Sequence, residues 1–305
     1  MVRSKGGGVP DLITVFKFRE GNVRDLDAFF NDYLWFSSLG ALNDPYEGFA
    51  HFYSEGVTDG LRVEFLKKVY ATESEEKNPE KVVQDLYMEH LEKGENGFAD
   101  YVDGQAIAYL RDFHEAQRDE IAVYSLSVSR GDDEQMPSPL NNMQMWAHYA
   151  GGFKGFCIEF DYGRLLKSLK EKNAGKIATS PIHYADDQRL PRVSVKQLME
   201  SYLSDEHGAL SIEILKAFAT KQYSWAYENE VRVLGDVQGK MFFDPSCIRA
   251  IYVASPMPEW SKTFLCAAAS SKGSHIKVYD VGLHSEFYQF GIREILRTDE
   301  DDEVC

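Results

Sequence analysis

Three short segments carry residue types that can act together on a substrate. Asn43-Asp44-Pro45-Tyr46-Glu47 gathers two carboxylates and an amide into a tight turn directly after an apolar run. Met145-Trp146-Ala147-His148-Tyr149 sets Trp, His and Tyr within one helical turn. Trp225-Ala226-Tyr227-Glu228-Asn229-Glu230-Val231-Arg232 alternates, and as part of a strand over 225–234 its period of two sends Glu228, Glu230 and Arg232 to one face. Two carboxylates beside a guanidinium make either a surface charge ladder or a site. In a site, one carboxylate accepts a substrate hydroxyl and the other orients it.

Other chemistry finds little support. There is no GxSxG elbow, no Walker loop and no HExxH helix. The 8 histidines are dispersed, with no pair at helical ligand spacing, so no metal is expected. Cys157, Cys247, Cys266 and Cys305 form no CxxC pair and are expected to be thiols, with Cys157 a small core residue. Gly151-Gly152-Phe153-Lys154-Gly155 lies between a helix and a strand, the reverse of a strand-to-helix phosphate loop, and reads as a turn.

The elements that must position these segments are legible in outline. Apolar alternation predicts strands over 13–19, 33–37, 121–129, 153–161, 225–234 and 248–254. Between them, Leu61, Phe65, Val69 and later Ile107, Leu110, His114 recur at helical spacing, which predicts a helical insertion over about 57–119. Strands scattered among helices without βαβ spacing argue for an α+β fold with a mixed or antiparallel sheet. The simplest partition is a lead-in over 1–11, one domain over 12–292 and an acidic tail over 293–305.

Composition bounds the partners. With 33 Lys and Arg against 49 Asp and Glu, the formal charge is −16, which disfavours non-specific nucleic-acid binding. The 44% hydrophobic and 13% aromatic content is that of a globular chain, not a disordered one. No window approaches a membrane span and no signal peptide is evident, so neither a membrane nor export is expected, and the cytoplasm is the expected location.

The three segments, together with Leu34-Trp35-Phe36-Ser37-Ser38 and Lys154-Gly155-Phe156-Cys157-Ile158-Glu159-Phe160, resemble the bacterial domain-of-unknown-function family 2971. The resemblance runs over about 12–292. Two positions depart from it: Ala254-Ser255 stands where a glycine is expected, and the 121–129 strand lacks a Cys-Phe-Ser. The layout is also similar to ADP-ribosyltransferase-like folds. That likeness implies Arg19 on a first strand, Ser37 on a second, and Glu228-x-Glu230 near the end, with NAD as co-substrate and a protein acceptor left unspecified. It makes Glu230 the ribose-contacting carboxylate and Glu228 its partner toward the acceptor. Asn43, Asp44, Glu47, Trp146, His148, Tyr149 and Arg232 would complete the nucleotide site, with Trp146 or Tyr149 stacking on nicotinamide.

Two other readings stand beside this one. One is a non-catalytic sensor or interaction module of a defence or stress system, in which the Trp/His/Tyr cluster is packed core. The other is a hydrolase with Asp44 and Glu47 as acid and base.

Overall fold

The computed structural model describes residues 14–73, 77–129, 138–204, 206 and 208–295. The expected lead-in over 1–11 and the acidic residues beyond 295 lie outside them. In chain order the elements begin β1 (Thr14–Arg19), α1 (Val23–Phe30), β2 (Tyr33–Ser38), β3 (His51–Tyr53), α2 (Asp59–Thr72), α3 (Pro79–Leu91), α4 (Gly97–Glu120) and β4 (Ala122–Ser129). They continue with α5 (Met143–Tyr149), β5 (Phe156–Asp161), α6 (Tyr162–Lys172), β6 (Ile177–Pro181), β7 (His183–Ala185), β8 (Arg192–Ser194), α7 (Val195–Ser204) and α8 (Gly208–Phe218). The last are β9 (Thr220–Gln222), β10 (Glu230–Gly235), β11 (Gly239–Phe242), β12 (Ile248–Ala254), α9 (Glu259–Lys272), β13 (Lys277–Leu283) and β14 (Phe290–Glu294).

The chain forms two compact units, each discontinuous in sequence. The first takes its described residues from Met1–Ser37, Ala122–Ile182 and Ser224–Cys305; the second is Ser38–Ile121 with His183–Tyr223.

The first unit is α+β, as the strand pattern predicts. Its sheet runs β11-β2-β4-β1-β5-β12-β13-β14, and β10 pairs with both β4 and β6. Every registered pair in it is antiparallel except β12–β13. Alternation gives the sheet two buried faces. On one, Val15, Ile158, Phe160, Val231, Val233 and Ile251 join Leu26 and Phe29 of α1, Leu165 and Leu169 of α6, and Leu265 of α9. On the other, Phe16, Phe18, Cys157, Ala250 and Tyr252 meet Met145, Trp146 and Ala150 of α5. Burying a side chain of this size contributes about 1.5–3 kcal/mol, so the two cores fix which way each strand residue points.

The sheet forks at β4. β1 pairs with β4 only from Thr14↔Ser129 to Phe16↔Ser127, whereas it pairs with β5 along its whole length to Arg19↔Phe156. Beyond Phe16 the Ser125 carbonyl accepts from the Lys17 ammonium, Nζ to O 2.8 Å, in place of a ladder bond. The far end of β1 is held by close approach to Gly155, where a Cβ would stand 2.0 Å from the Arg19 carbonyl oxygen.

Asn142 caps α5 by accepting from the Gln144 and Met145 amides at 2.9 and 3.3 Å. The helix ends in a turn through Gly151, Gly152 and Phe153, all at positive φ. The amides of Gly152, Phe153, Lys154 and Gly155 all return to carbonyls of Trp146, Ala147 and Ala150. Those donors are therefore spent on ending the helix, as expected for a turn and not for a phosphate cradle.

The second unit is mostly helical. Thr58 caps α2, and Asn78 caps α3 with Pro79 opening the helix. Two short parallel pairs, β3–β8 and β7–β9, accompany the helices. Inside the bundle Arg62 holds Asp103 bidentately, Nε to Oδ1 at 2.8 Å and Nη2 to Oδ2 at 2.7 Å. Two parallel charge-assisted bonds make this one of the stronger polar links in the unit. Helices α2–α4 lie in this unit, and α7 and α8 belong to it too.

Candidate functional site

Two of the three sequence segments come together in the first unit. Trp225–Glu228 is not strand. Tyr223–Glu228 is a 3-10 turn, and β10 begins only at Glu230. The reason is Asn229, which sits at φ 43°. Asn tolerates this left-handed conformation better than most residues, and it cannot continue a strand through it. Asn229 instead clasps β4 by its edge. Its carbonyl accepts from the Val128 amide at 2.9 Å, and its side-chain amide donates to the Val128 carbonyl at 2.5 Å.

This corrects the expected geometry of the Glu-x-Glu pair. Glu228 belongs to the turn, while Glu230 and Arg232 alternate on the strand and share a face. Both glutamates are buried. Glu228 accepts a short hydrogen bond from the Tyr149 hydroxyl. The Asn142 side-chain amide donates to the Tyr227 carbonyl at 2.9 Å, and His148 Nδ1 lies 2.8 Å from the Tyr227 hydroxyl. These contacts tie α5 and its capping residue to the 3-10 turn. His148 is exposed and Tyr149, Trp225 and Tyr227 are half-buried. Rings of His148 and Tyr227 stand 5.8 Å apart, and those of Trp225 and Tyr227 6.1 Å. They form an aromatic shelf beside Glu228.

Arg232 is fully buried and pairs with Glu230, Nε to Oε1 at 2.8 Å and Nη2 to Oε2 at 3.4 Å. Registers place Glu230 opposite Ser127 and Ser127 opposite Phe16, so Glu230 faces the α5 side of the sheet. Arg19, three residues on from Phe16, points to the other side. There it donates to the Tyr124 hydroxyl at 3.0 Å and lies 3.6 Å from Asp25. The structure therefore does not set Arg19 on the same sheet face as Glu230. Arg19, Arg24, Asp25, Tyr33 and Trp35 line a separate cavity of about 480 Å3. Ser37 lies two residues beyond Trp35 on β2 and is half-buried.

Trp146 is also corrected from a stacking residue to a packing one. It is 1% exposed, its indole donates to the Leu140 carbonyl at 2.8 Å, and Phe18, Phe153 and Phe290 surround its ring. Its ring faces are covered by protein, so Trp225 and Tyr227 take over as the aromatic surface.

Lys17 is a residue the sequence reading missed. On β1 it looks like one polar position in a buried strand. In the fork its ammonium bonds the Ser125 carbonyl and stands 4.6 Å from the centre of the Tyr124 ring. Burial, and next the charge of Arg19, lower its pKa from 10.5 to about 7, against an upward pull from Glu230, Asp25 and Glu228. The residue as a whole keeps some exposed surface, but its charged end is desolvated. Lys17 thus feels both the glutamate pair and the Arg19–Asp25 side.

A group whose pKa is depressed on folding destabilises the fold most where it must be charged, below about pH 7, and that cost fades as pH climbs toward 10.5. Lys17→Met removes it. The variant should gain melting temperature over the wild type at pH 6 and gain less at pH 9. A gain equal at both pH values would show that the ammonium is not desolvated.

Asn43, Asp44 and Glu47 fall in the second unit. Asn43 is exposed. Asp44 is buried in a turn, where its carboxylate accepts from the Tyr46 amide at 2.9 Å. Glu47 is buried and ion-paired to buried Lys221 at 3.7 Å, and its carbonyl accepts from Arg118 at 2.8 Å. Among the described residues no group of three or more His, Cys, Asp or Glu side chains is arranged to hold a metal ion. Among them, too, no helix is long and apolar enough to cross a membrane.

The fold and this cluster define an α+β chain with a forked, mostly antiparallel sheet that presents paired carboxylates beside an aromatic shelf. Residues 145–233 match the model of a family described as protein of unknown function (DUF2971). The match spans both the Trp-x-His-Tyr helix and the Glu-x-Glu-x-Arg segment, and it supports the resemblance read from those motifs. No curated protein and no solved structure matches the chain.

Proposed function

We propose that the first unit binds NAD against the shelf of His148, Trp225 and Tyr227 and breaks its nicotinamide–ribose bond, as a glycohydrolase or an ADP-ribosyltransferase. The observation that carries this reading is the Tyr149–Glu228 hydrogen bond, which fixes a buried carboxylate beside half-exposed aromatic rings. In the reaction the bond between ribose C1′ and the pyridinium nitrogen breaks, and its electron pair leaves with neutral nicotinamide. Positive charge builds on the ribose, and water or an acceptor nucleophile then attacks C1′ and gives up a proton. Fixed carboxylates at Glu228 and Glu230 stabilise that charge, and a stacked ring holds the leaving group. Tyr149 orients Glu228 and Arg232 orients Glu230.

The buried Glu230–Arg232 pair favours a second reading, a non-catalytic nucleotide-binding module in which the pair serves the fold. Calorimetric titration with NAD and chromatography for released nicotinamide separate the two. Binding with turnover is expected. Binding without turnover gives the module reading, and neither binding nor turnover ends the NAD assignment.

A further inference from the structure

The second unit carries a cavity of about 480 Å3 that the glutamate cluster does not use. Its wall is one face of α4, where Arg111, His114, Glu115 and Arg118 recur at helical spacing. Opposite them stand Phe49 from the turn after Glu47 and Phe52 from β3, with Ile107 one turn back along α4. The volume lies within the ~300–1,000 Å3 usual for small-molecule sites.

From these residues we infer that the cavity is a binding site for a small monovalent carboxylic acid with an aromatic or branched apolar body. Phe49, Phe52 and Ile107 supply the apolar lining such a body needs. The two guanidiniums supply the anion site, with forks that match a carboxylate bidentately. Arg118 stands 4.7 Å from the centre of the Phe49 ring, and among the described residues only its Nε is spent, on the Glu47 carbonyl. In a chain of formal charge −16, neither Arg111 nor Arg118 has a carboxylate within ion-pair distance among the described residues. Arg111 and Arg118 against Glu115 leave one net positive charge, which suits a monoanion better than a phosphate dianion.

His114, on the same wall, carries an unmet buried acceptor. It is 3% exposed and lies between Phe52 and Phe218, at ring distances of 5.5 and 4.6 Å. Its Nε2 is 2.6 Å from the Gly48 carbonyl. A carbonyl only accepts, so Nε2 carries the hydrogen and Nδ1 is left as an acceptor. That Nδ1 has no hydrogen-bond partner among the described residues. Burial lowers the His114 pKa, so protonation does not relieve it. An unmet buried acceptor is costly, and a carboxylate, which carries no donor, leaves that need to a water bound with it.

The site and its residues are independent of the NAD reading. The test is calorimetric titration of the full chain with phenylacetate, and with phenylacetamide and phenethylamine as neutral and cationic matches of the same body. Phenylacetate should bind at about 1 mM or tighter, and the other two at least tenfold more weakly. Arg111→Gln, at an exposed position, should weaken phenylacetate about tenfold or more, and Ile107→Trp should block it by filling the cavity. No binding of phenylacetate up to about 10 mM would overturn the assignment. So would equal binding of the amide, or titrations of both folded variants that match the wild type.

Discussion

Arg232→Met should lower the stability of the first unit by about 3–5 kcal/mol, the scale on which breaking a buried ion pair from one side acts. Arg232 is fully buried, and both Glu230 carboxylate oxygens accept from it. Removing the guanidinium leaves Glu230 charged in a place where water does not reach. Lys17 recovers part of that loss, since its ammonium acts on Glu230, but a lysine near neutrality is a poor counter-ion above pH 7. The melting temperature should fall by on the order of 10 °C. Tryptophan fluorescence from buried Trp146 reports on this unit's core. Glu230→Leu combined with Arg232→Met removes both charges and should regain most of the loss, because buried pairs replaced together by apolar groups are often neutral. A single variant within about 1 kcal/mol of the wild type would show that the pair does not support the fold.

The outline of the first unit was legible because its strands obey period two over two buried faces. Val15, Phe16 and Phe18, or Phe156 through Phe160, can only alternate between two cores. The helix that carries Trp146, His148 and Tyr149 was legible too, as α5. What misled the reading was alternation without a strand. Trp225, Tyr227 and Asn229 alternate with smaller or charged residues, yet the segment is a 3-10 turn closed by an Asn at positive φ. The asparagine between two glutamates was the available signal, because Asn favours turns over strands.

Trp146 was misassigned for another reason. Its helix also carries the polar His148 and Tyr149, but the turn after α5 folds Phe153 back onto its ring. Lys17 could not be read at all. Its desolvation arises because β1 leaves β4 after Phe16 while it stays on β5, and that fork is a property of pairing among distant strands. The same applies to Lys221, which sits 174 positions from the Glu47 carboxylate that it pairs with. The acidic turn itself was plain in the sequence; its partner was not.

Glu230→Gln should reduce nicotinamide release by on the order of 10²–10³, the usual effect of deleting one fixed electrostatic stabiliser of a transition state. The burial of Glu230 means that this variant also loses stability, because Gln keeps the shape but removes the charge that pairs with buried Arg232. Rate and stability therefore fall together, and the single variant does not separate chemistry from folding. Glu230→Gln with Arg232→Met does: removing both charges restores the fold, while the carboxylate stays absent. If Glu230 acts on the ribose, the double variant melts near the wild type and still releases nicotinamide ~10²–10³-fold more slowly. If it serves only to hold β10, restoring the fold restores the rate. Glu228→Gln supplies a parallel arm, since its amide oxygen can still accept from Tyr149 while the charge is gone. Its rate should fall on the same scale, and because the Tyr149 hydroxyl is a neutral donor, that hydrogen bond survives the exchange. Full turnover in both folded variants would remove the carboxylates from the chemistry and leave the shelf as a binding surface alone.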